Sequence, residues 1–429
     1  MALHVMDEAN HCLDCKNPLC RRGCPINTDI PRAIRLLKAG RLNEAGRMLF
    51  ENNPLTTVCS LVCNHENQCE GHCVQGVRGE PVHFSMIENY ISSTYASQMT
   101  QGPAAPNGMR AAIIGSGPAG LTIAVILQRY GYDVTIFEAH EKIGGVLRYG
   151  IPEFRLPKAV LDDFEYRHLR LKNIKVRPNT EIGQSLTVDD LFRDGYRAIF
   201  IGTGVWSPHT LHIRGESLGN VHFAINYLKN PDVYHLGARV TIIGAGNAAM
   251  DVARTVIRHG TRHVQCFSIT RELAANDYEV SYAKLEGVTF YYNKRPVEIT
   301  DRGAVFRDVT EDGGAFTDVP GTDMLYPSDS VIVSISQGPR ATIAGSTEGL
   351  KTGGSGLLVT DSEGRTTRPG IFASGDVVKG ARTVVEAVAY SKKVAEAMHA
   401  YMQSLPPVEA VPGGGVPGGV PCFRPDDGN

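Results

Sequence analysis

The sequence predicts an α/β protein in which a helical iron–sulfur head precedes two nested Rossmann-like domains. Three observations predict it. Eight of the ten cysteines fall before residue 74, in two tight groups. A strand, glycine turn and helix open at Gly115. A second unit of the same kind opens at Gly244.

At 429 residues the chain is too long for a single core. A formal net charge of -2 offers no basic field to nucleic acid or an anionic membrane, and neither is expected as a partner. No apolar run approaches the roughly 18 residues that span a bilayer. His4 and Asp7 stand where a secretory signal has a basic and then an apolar region. Clustered thiols without an export signal read as metal ligands, and a reducing cytoplasm is the expected setting.

The first cysteine group reads Cys12-x2-Cys15-x4-Cys20-x3-Cys24-Pro25, and the second Cys59-x3-Cys63-x5-Cys69-x3-Cys73. Between them, Asp29-Ile30-Pro31 marks a helix start, with Ile30, Ile34 and Leu37 on one face and Gly40 at the end. A second helix, from about Asn43 to Asn52, stops at Pro54. The resulting hairpin brings the two groups together. The first group echoes the bacterial ferredoxin run that ends in Cys-Pro, whose fourth cysteine serves the other cluster. Structural zinc is the competing reading, but its ligands usually split into pairs around a longer insert. Four thiols within thirteen residues, beside two dinucleotide units, favour iron–sulfur.

Residues 101–108 read as a linker. Ala112-Ile113-Ile114 is then a buried strand, followed by Gly115-x-Gly117-x-x-Gly120 and a helix from Leu121. The first glycine makes the turn, the second admits a pyrophosphate to the backbone, and the third packs helix on strand. Glu138 closes the next strand, where a carboxylate grips ribose hydroxyls. Gly145 follows that acid closely, and Thr203 in Ile201-Gly-Thr-Gly204 and Asp376 in Ser374-Gly-Asp stand in stretches that resemble flavoprotein motifs, a resemblance that implies FAD rather than a nicotinamide here. A solvated turn acid is the competing reading of Asp376. Thr383-Val384-Val385 opens a helix aimed at the flavin pyrimidine, where its N-terminus stabilises charge near N1.

The second unit reads Val240-Thr-Ile-Ile243, then Gly244-x-Gly246-x-x-Ala249, with a helix through Ile257. Its next strand, His263–Phe267, ends without the acid of many NAD sites. Ser268, Thr270 and Arg271 follow, groups suited to a 2′-phosphate, so NADP(H) is favoured over NAD(H). Arg271 as a solvated loop cation stays open. Cys266, mid-strand and alone, reads as a small core residue. The expected domains are 1–105 for the head, 106–221 with 327–404 for FAD, and 222–326 for NAD(P). The Pro/Gly-rich tail, 405–429, is expected to be disordered.

These motifs resemble a known family. Cys12-Leu-Asp-Cys15, Gly23-Cys-Pro25, Asn53-Pro54, Cys59-x-x-Val62-Cys63 and Gln68-Cys-Glu-Gly-x-Cys73 are similar to the head of the glutamate synthase small subunit. The N-terminal half of dihydropyrimidine dehydrogenase and the large subunit of the bifurcating ferredoxin–NADP transhydrogenase carry a similar head. Tyr149-Gly-Ile-Pro-Glu-Phe-Arg-Leu-Pro157, Gly246-Asn-x-Ala-Met-Asp251 and Ser374-Gly-Asp-Val377 extend the match over nearly the whole chain. The resemblance implies Cys12, Cys15, Cys20 and Cys73 as ligands of one [4Fe-4S] cluster. It implies Cys24, Cys63, Cys69 and the oxygen donor Glu88 for a second, leaving Cys59 structural. Two departures stand out. Many relatives carry Tyr-Arg-Arg where this chain has Ser268-Ile269-Thr270, and Ala-Ile-Gly-Gln where it has Ser334-Ile-Ser336-Gln.

The implied activity is that of an NAD(P)H-dependent iron–sulfur flavoprotein oxidoreductase. Such a subunit passes electrons between NAD(P)H, FAD and two [4Fe-4S] clusters, to or from other redox subunits of a hetero-oligomeric complex. No side chain is expected to act as general acid or base, since FAD is the redox centre. An electron-input arm of a synthase or reductase is one role. The NAD(P)-binding subunit of a bifurcating complex of transhydrogenase, hydrogenase or formate dehydrogenase type is another, as is a dihydropyrimidine dehydrogenase subunit. A zinc-stabilised scaffold is the alternative outside catalysis.

Overall fold

The computed structural model describes residues 2–98 and 102–406. The tail expected to be disordered therefore lies, from 407 onward, outside the described residues.

The head is helical, with Ala2–His11, Ile30–Lys38, Leu42–Asn52, Thr56–Val62 and Phe84–Gln98 as its main elements. Asp29 caps the second of these by accepting from Arg32 N at 3.4 Å. Gly40 ends the turn beyond it at φ +70°, a value glycine tolerates without strain. Ile30, Ile34 and Leu37 face inward onto Leu49, Ile87 and Ile91. That buried stripe folds the hairpin and draws the cysteine groups together.

The first sheet has five parallel strands in the order Ile371–Ala373, Tyr196–Ile201, Arg110–Ile114, Asp133–Phe137, Lys175–Arg177. Ala111–Ile114 is buried throughout, as a strand covered on both faces must be. The helices Pro118–Arg129 and Val384–Ser404 pack together beside it. The first of these begins at Pro118 rather than at Leu121, because proline's missing N–H costs nothing in a first turn.

The second sheet is also parallel, ordered Val221–Phe223, Ser330–Val333, Arg239–Ile243, His263–Phe267, Thr289–Tyr291. Antiparallel strands between Lys294 and Pro327 form an appendage to it. The expected return to the FAD domain at 327 needs correction. Ser330–Val333 is buried on both faces and pairs with Arg239–Ile243, from Ser330 opposite Val240 to Val333 opposite Ile243. It is an inner strand of the second sheet. We therefore divide the chain after Val333 and keep the head at 1–105. Among the described residues, no helix is long and apolar enough to cross a membrane.

Candidate functional site

A cleft of about 1220 Å³ lies where the first sheet meets its glycine turn. Gly115, Gly117, Glu138, Gly145, Thr203, Asp376, Thr383 and Val384 all border it. Gly120 does not. It sits beneath the turn, where a Cβ would come within 2.0 Å of the Gly115 carbonyl oxygen, so its role is close packing.

Two glycine loops meet at the cleft floor. Gly145 holds φ +52°, and a Cβ there would stand 2.8 Å from Gly117 Cα. Beside Gly117 itself the space is open, the nearest atom to a built Cβ being 4.0 Å away. A backbone cradle that side chains would fill fits a pyrophosphate.

Glu138 is buried, accepting from Ser116 N at 2.9 Å and from His140 N at 2.8 Å. Burial works against its charge, but the hydrogen bonds from His140 and Ser116 outweigh it and hold the carboxyl below its ordinary range. Asp376 differs: burial pushes it up to about 6, opposed by a bond from Arg382 N at 3.1 Å. Thr383 caps the helix Val384–Ser404, and Glu386 returns a bond to Thr383 N at 3.0 Å.

Sequence reasoning missed His140 and Trp206. The His140 ring stacks on Tyr149 at 4.5 Å and lies 5.5 Å from Trp206, so aromatic rings line one wall. The only signal was Tyr149, inside a family motif with no assigned role.

At the second unit, Gly244 holds φ +117°, and a Cβ there would come 2.2 Å from Ser334 O. Gly246 opens onto free space, and Ala249 is buried beneath it. Of the three groups expected to meet a 2′-phosphate, Ser268 and Thr270 meet each other. Ser268 is buried, with its hydroxyl 3.0 Å from that of Thr270, which donates to Glu272 O at 2.6 Å. Arg271 is exposed and borders a separate hollow with Glu272 and Lys284. Cys266 is buried as expected, donating to Gly244 O at 3.0 Å. Ser336 holds a left-handed φ of +86°, a region that glycine visits far more readily than serine.

The motifs around Arg155 and Asp251 meet in a buried ion network. Arg155 Nη1 lies 2.8 Å from Asp251 Oδ2, and its Nε lies 2.9 Å from Glu279 Oε1. Arg254 joins Glu279 at 2.8 Å and Glu286 at 3.0 Å, with Phe154 under its guanidinium at 4.7 Å. The loop of one Rossmann unit is thereby latched to helices of the other.

The head holds two cysteine-lined cavities. Cys12, Cys15, Cys20 and Cys73 border one of about 460 Å³, together with Cys69. Cys24, Cys59, Cys63, Cys69 and Glu88 border the other, of about 310 Å³. Cys59, expected to be structural, thus shares a wall with the expected ligands. Burial raises the Cys20 thiol to about 11 and also raises the Cys12 thiol. Glu88 is fully enclosed, pushed up to about 7 by burial despite a bond from Thr56 Oγ1 at 2.7 Å. Among the described residues, no three ligating side chains converge on a single ion; a four-iron cluster instead spreads its ligands around a cube. Asn53 Nδ2 and His65 Nε2 are buried without a partner, and both residues border the Glu88 cavity. The orphaned amide N–H of Asn53 fits a neighbour rich in sulfur acceptors.

The cleft and the cavities adjoin. Val384 and Ala387 border the nucleotide cleft, whereas Val385 borders the Glu88 cavity. Cys69, Ile30 and Phe84 then border both cysteine cavities.

Known families match the head and the remainder of the chain separately. Residues 109–403 match the family described as pyridine nucleotide-disulphide oxidoreductase. Residues 2–100 match dihydropyrimidine dehydrogenase domain II, 4Fe-4S cluster. The chain is 31% identical to the glutamate synthase (NADPH) small chain of Escherichia coli (strain K12), over 92% of this chain and 91% of that protein. It is 31% identical to the NADP(+)-dependent formate dehydrogenase subunit beta of Moorella thermoacetica, over 90% of this chain and 60% of that protein. Mycobacterium tuberculosis FprA in complex with NADPH has the same fold at 18% identity, with a TM-score of 0.60 over 69% of this chain and 84% of that one.

Proposed function

The chain belongs to the glutamate synthase small-subunit family of pyridine nucleotide-disulphide oxidoreductases, and from that premise we propose an electron-transfer subunit working between NAD(P)H and a redox partner. The adjacency of Val384 and Val385 carries this reading. One helix start separates a dinucleotide cleft from a cysteine cavity, and Cys69 joins that cavity to the next.

FAD, when bound, supplies two-electron exchange with a nicotinamide and one-electron exchange with iron–sulfur clusters. Backbone at Gly115, Gly117 and Gly145 would hold its pyrophosphate, Glu138 its ribose, and Asp376 its ribityl chain. The N-terminus behind Val384 favours negative charge at the pyrimidine. Gly244, Gly246 and Ala249 would seat the nicotinamide nucleotide. Of the three groups expected to select NADP(H), Ser268 is buried, Thr270 is half-buried and Arg271 is exposed. Comparing NADPH and NADH in wild type and Arg271→Ala tests that preference.

In the head, Cys12, Cys15, Cys20 and Cys73 would hold one [4Fe-4S] cluster, and Cys24, Cys63, Cys69 and Glu88 the other. Glu88 suits the fourth position better than Cys59 on physical grounds. A buried carboxylate with one hydrogen bond is costly unless a cation meets it, whereas a buried neutral thiol costs little. Order along the chain of sites then runs cleft, Glu88 cavity, Cys12 cavity, and exit to a partner at the head surface. Leu13 and Leu19, 62% and 42% exposed, border that last cavity.

The test is an anaerobic purification of full-length protein with whatever co-elutes. Flavin and iron together, reduced by NADPH or NADH, support the proposal. A synthase or reductase subunit alongside marks an input arm; a hydrogenase, a formate dehydrogenase or further flavin subunits mark a bifurcating assembly. Colourless protein that takes up zinc contradicts it.

A further inference from the structure

Three residues outside every expected ligand set form a chain of hydrogen bonds that ends at Cys24. Lys392 lies on the helix Val384–Ser404, beyond the nucleotide cleft. Its Nζ donates to Asn52 Oδ1 at 2.6 Å, across the boundary between the FAD domain and the head. Asn52 Nδ2 donates in turn to Thr28 Oγ1 at 3.1 Å and to Ile26 O at 3.4 Å. Thr28, 3% exposed, has its Oγ1 3.4 Å from Cys24 Sγ. Cys24, Ile26 and Thr28 all border the Glu88 cavity.

The direction of each bond follows from donor chemistry. An ammonium only donates, so Asn52 must turn its carbonyl oxygen toward Lys392 and its amide N–H groups toward Thr28. Thr28 then accepts through its oxygen, and its single proton is left for sulfur. A free Cys24 thiol donates across the 3.4 Å contact; as a thiolate ligand it accepts from Thr28 instead. Burial, with the charge of Arg129, lowers the Lys392 pKa, and the neighbouring Cys24 opposes that by favouring the ammonium.

We infer that Lys392, acting through Asn52 and Thr28, is a positioning residue that raises the reduction potential of the cluster held by Cys24. The inference rests on the proposed ligand set Cys24, Cys63, Cys69 and Glu88. Reduction adds one electron, hence one negative charge, to the cluster. A hydrogen bond to a ligand sulfur and a half-buried cation nearby both favour the more negative state. The Cys12 cavity is lined mainly by apolar groups such as Leu13, Ile34, Val74 and Phe84. The chain therefore acts on one cluster and spares the other.

The experiment is protein-film voltammetry of the holoprotein, the electrode supplying the electron, with EPR of samples poised along each wave to assign it. Lys392→Met and Thr28→Val should each move one cluster to lower potential and leave the other in place. Lys392→Arg keeps the charge and a donor and should stay near wild type. Flavin and iron content should not change. Unmoved potentials in both Lys392→Met and Thr28→Val overturn the inference, as does an equal shift of both clusters. Should Lys392→Met lose iron, the conservative Thr28→Val decides alone. Cys24→Ala separates the two levels: if it keeps all iron and both EPR signals, the ligand set falls, and the inference with it.

Discussion

Val384 and Val385 are neighbours in the chain but border different chambers, Val384 the nucleotide cleft and Val385 the Glu88 cavity. The helix start they occupy is the shared wall. Its position is set by the reciprocal cap between Thr383 and Glu386.

Removing that cap should loosen both chambers together. Thr383→Ala gives up the hydroxyl bond to Glu386 N and is expected to cost about 1 kcal/mol. Thermal unfolding should show the loss, and flavin affinity should fall with it. Unchanged flavin affinity would mean that the helix start is held by other contacts.

Glu88 and Cys59 border the same cavity and make opposite predictions. Glu88→Ala should remove one cluster's EPR signal and about half of the iron. Cys59→Ala should keep both signals, with a modest stability loss from a small cavity. Reversed results would assign the fourth ligand to Cys59.

The Arg155–Asp251–Glu279 network ties the two Rossmann units together. Arg155→Ala leaves Asp251 buried without its partner, which is expected to cost about 3–5 kcal/mol. FAD content should hold, while the rate at which NAD(P)H bleaches the flavin should drop. Arg155→Lys should recover part of that rate. Stopped-flow absorbance reads both; a wild-type rate in Arg155→Ala would show that the latch does not orient the units.

His168 gives the head–FAD domain junction a pH dependence. It stacks on Phe50 at 4.6 Å, and burial, with the charges of Lys172, Arg129 and Arg167, lowers its pKa from 6.5 to about 3. The folded ring therefore stays neutral where the unfolded ring takes a proton. Its contribution is intact above pH 6.5 and is lost as pH falls, by about 1.4 kcal/mol per unit. His168→Phe should flatten the acid limb of the stability profile between pH 6.5 and about 3. Parallel profiles for the two proteins would refute the assignment.

Local chemistry was legible in the sequence. Gly115 and Gly244 announce their turns because only glycine suits their φ values, and Asp29 and Thr383 announce helix starts because their side chains cap neighbouring N–H groups. What escaped was contact between distant segments. Arg155 and Asp251 were visible as motif members but not as partners, since nothing local pairs residues 96 apart. The return of the chain after Val333 was missed because a buried run of four residues reads alike in either sheet. That Ser268 and Thr270 spend their hydroxyls within their own loop is likewise a matter of backbone path.

The central claim is that electrons from NAD(P)H reach the Cys12 cavity by way of the Glu88 cavity. The most direct test is rapid freeze-quench EPR of Glu88→Ala holoprotein mixed anaerobically with NADPH. The account predicts flavin bleaching at the wild-type rate, with the Cys12-dependent signal failing to appear on that timescale though dithionite still elicits it. Reduction of that cluster by NADPH at the wild-type rate would contradict the account.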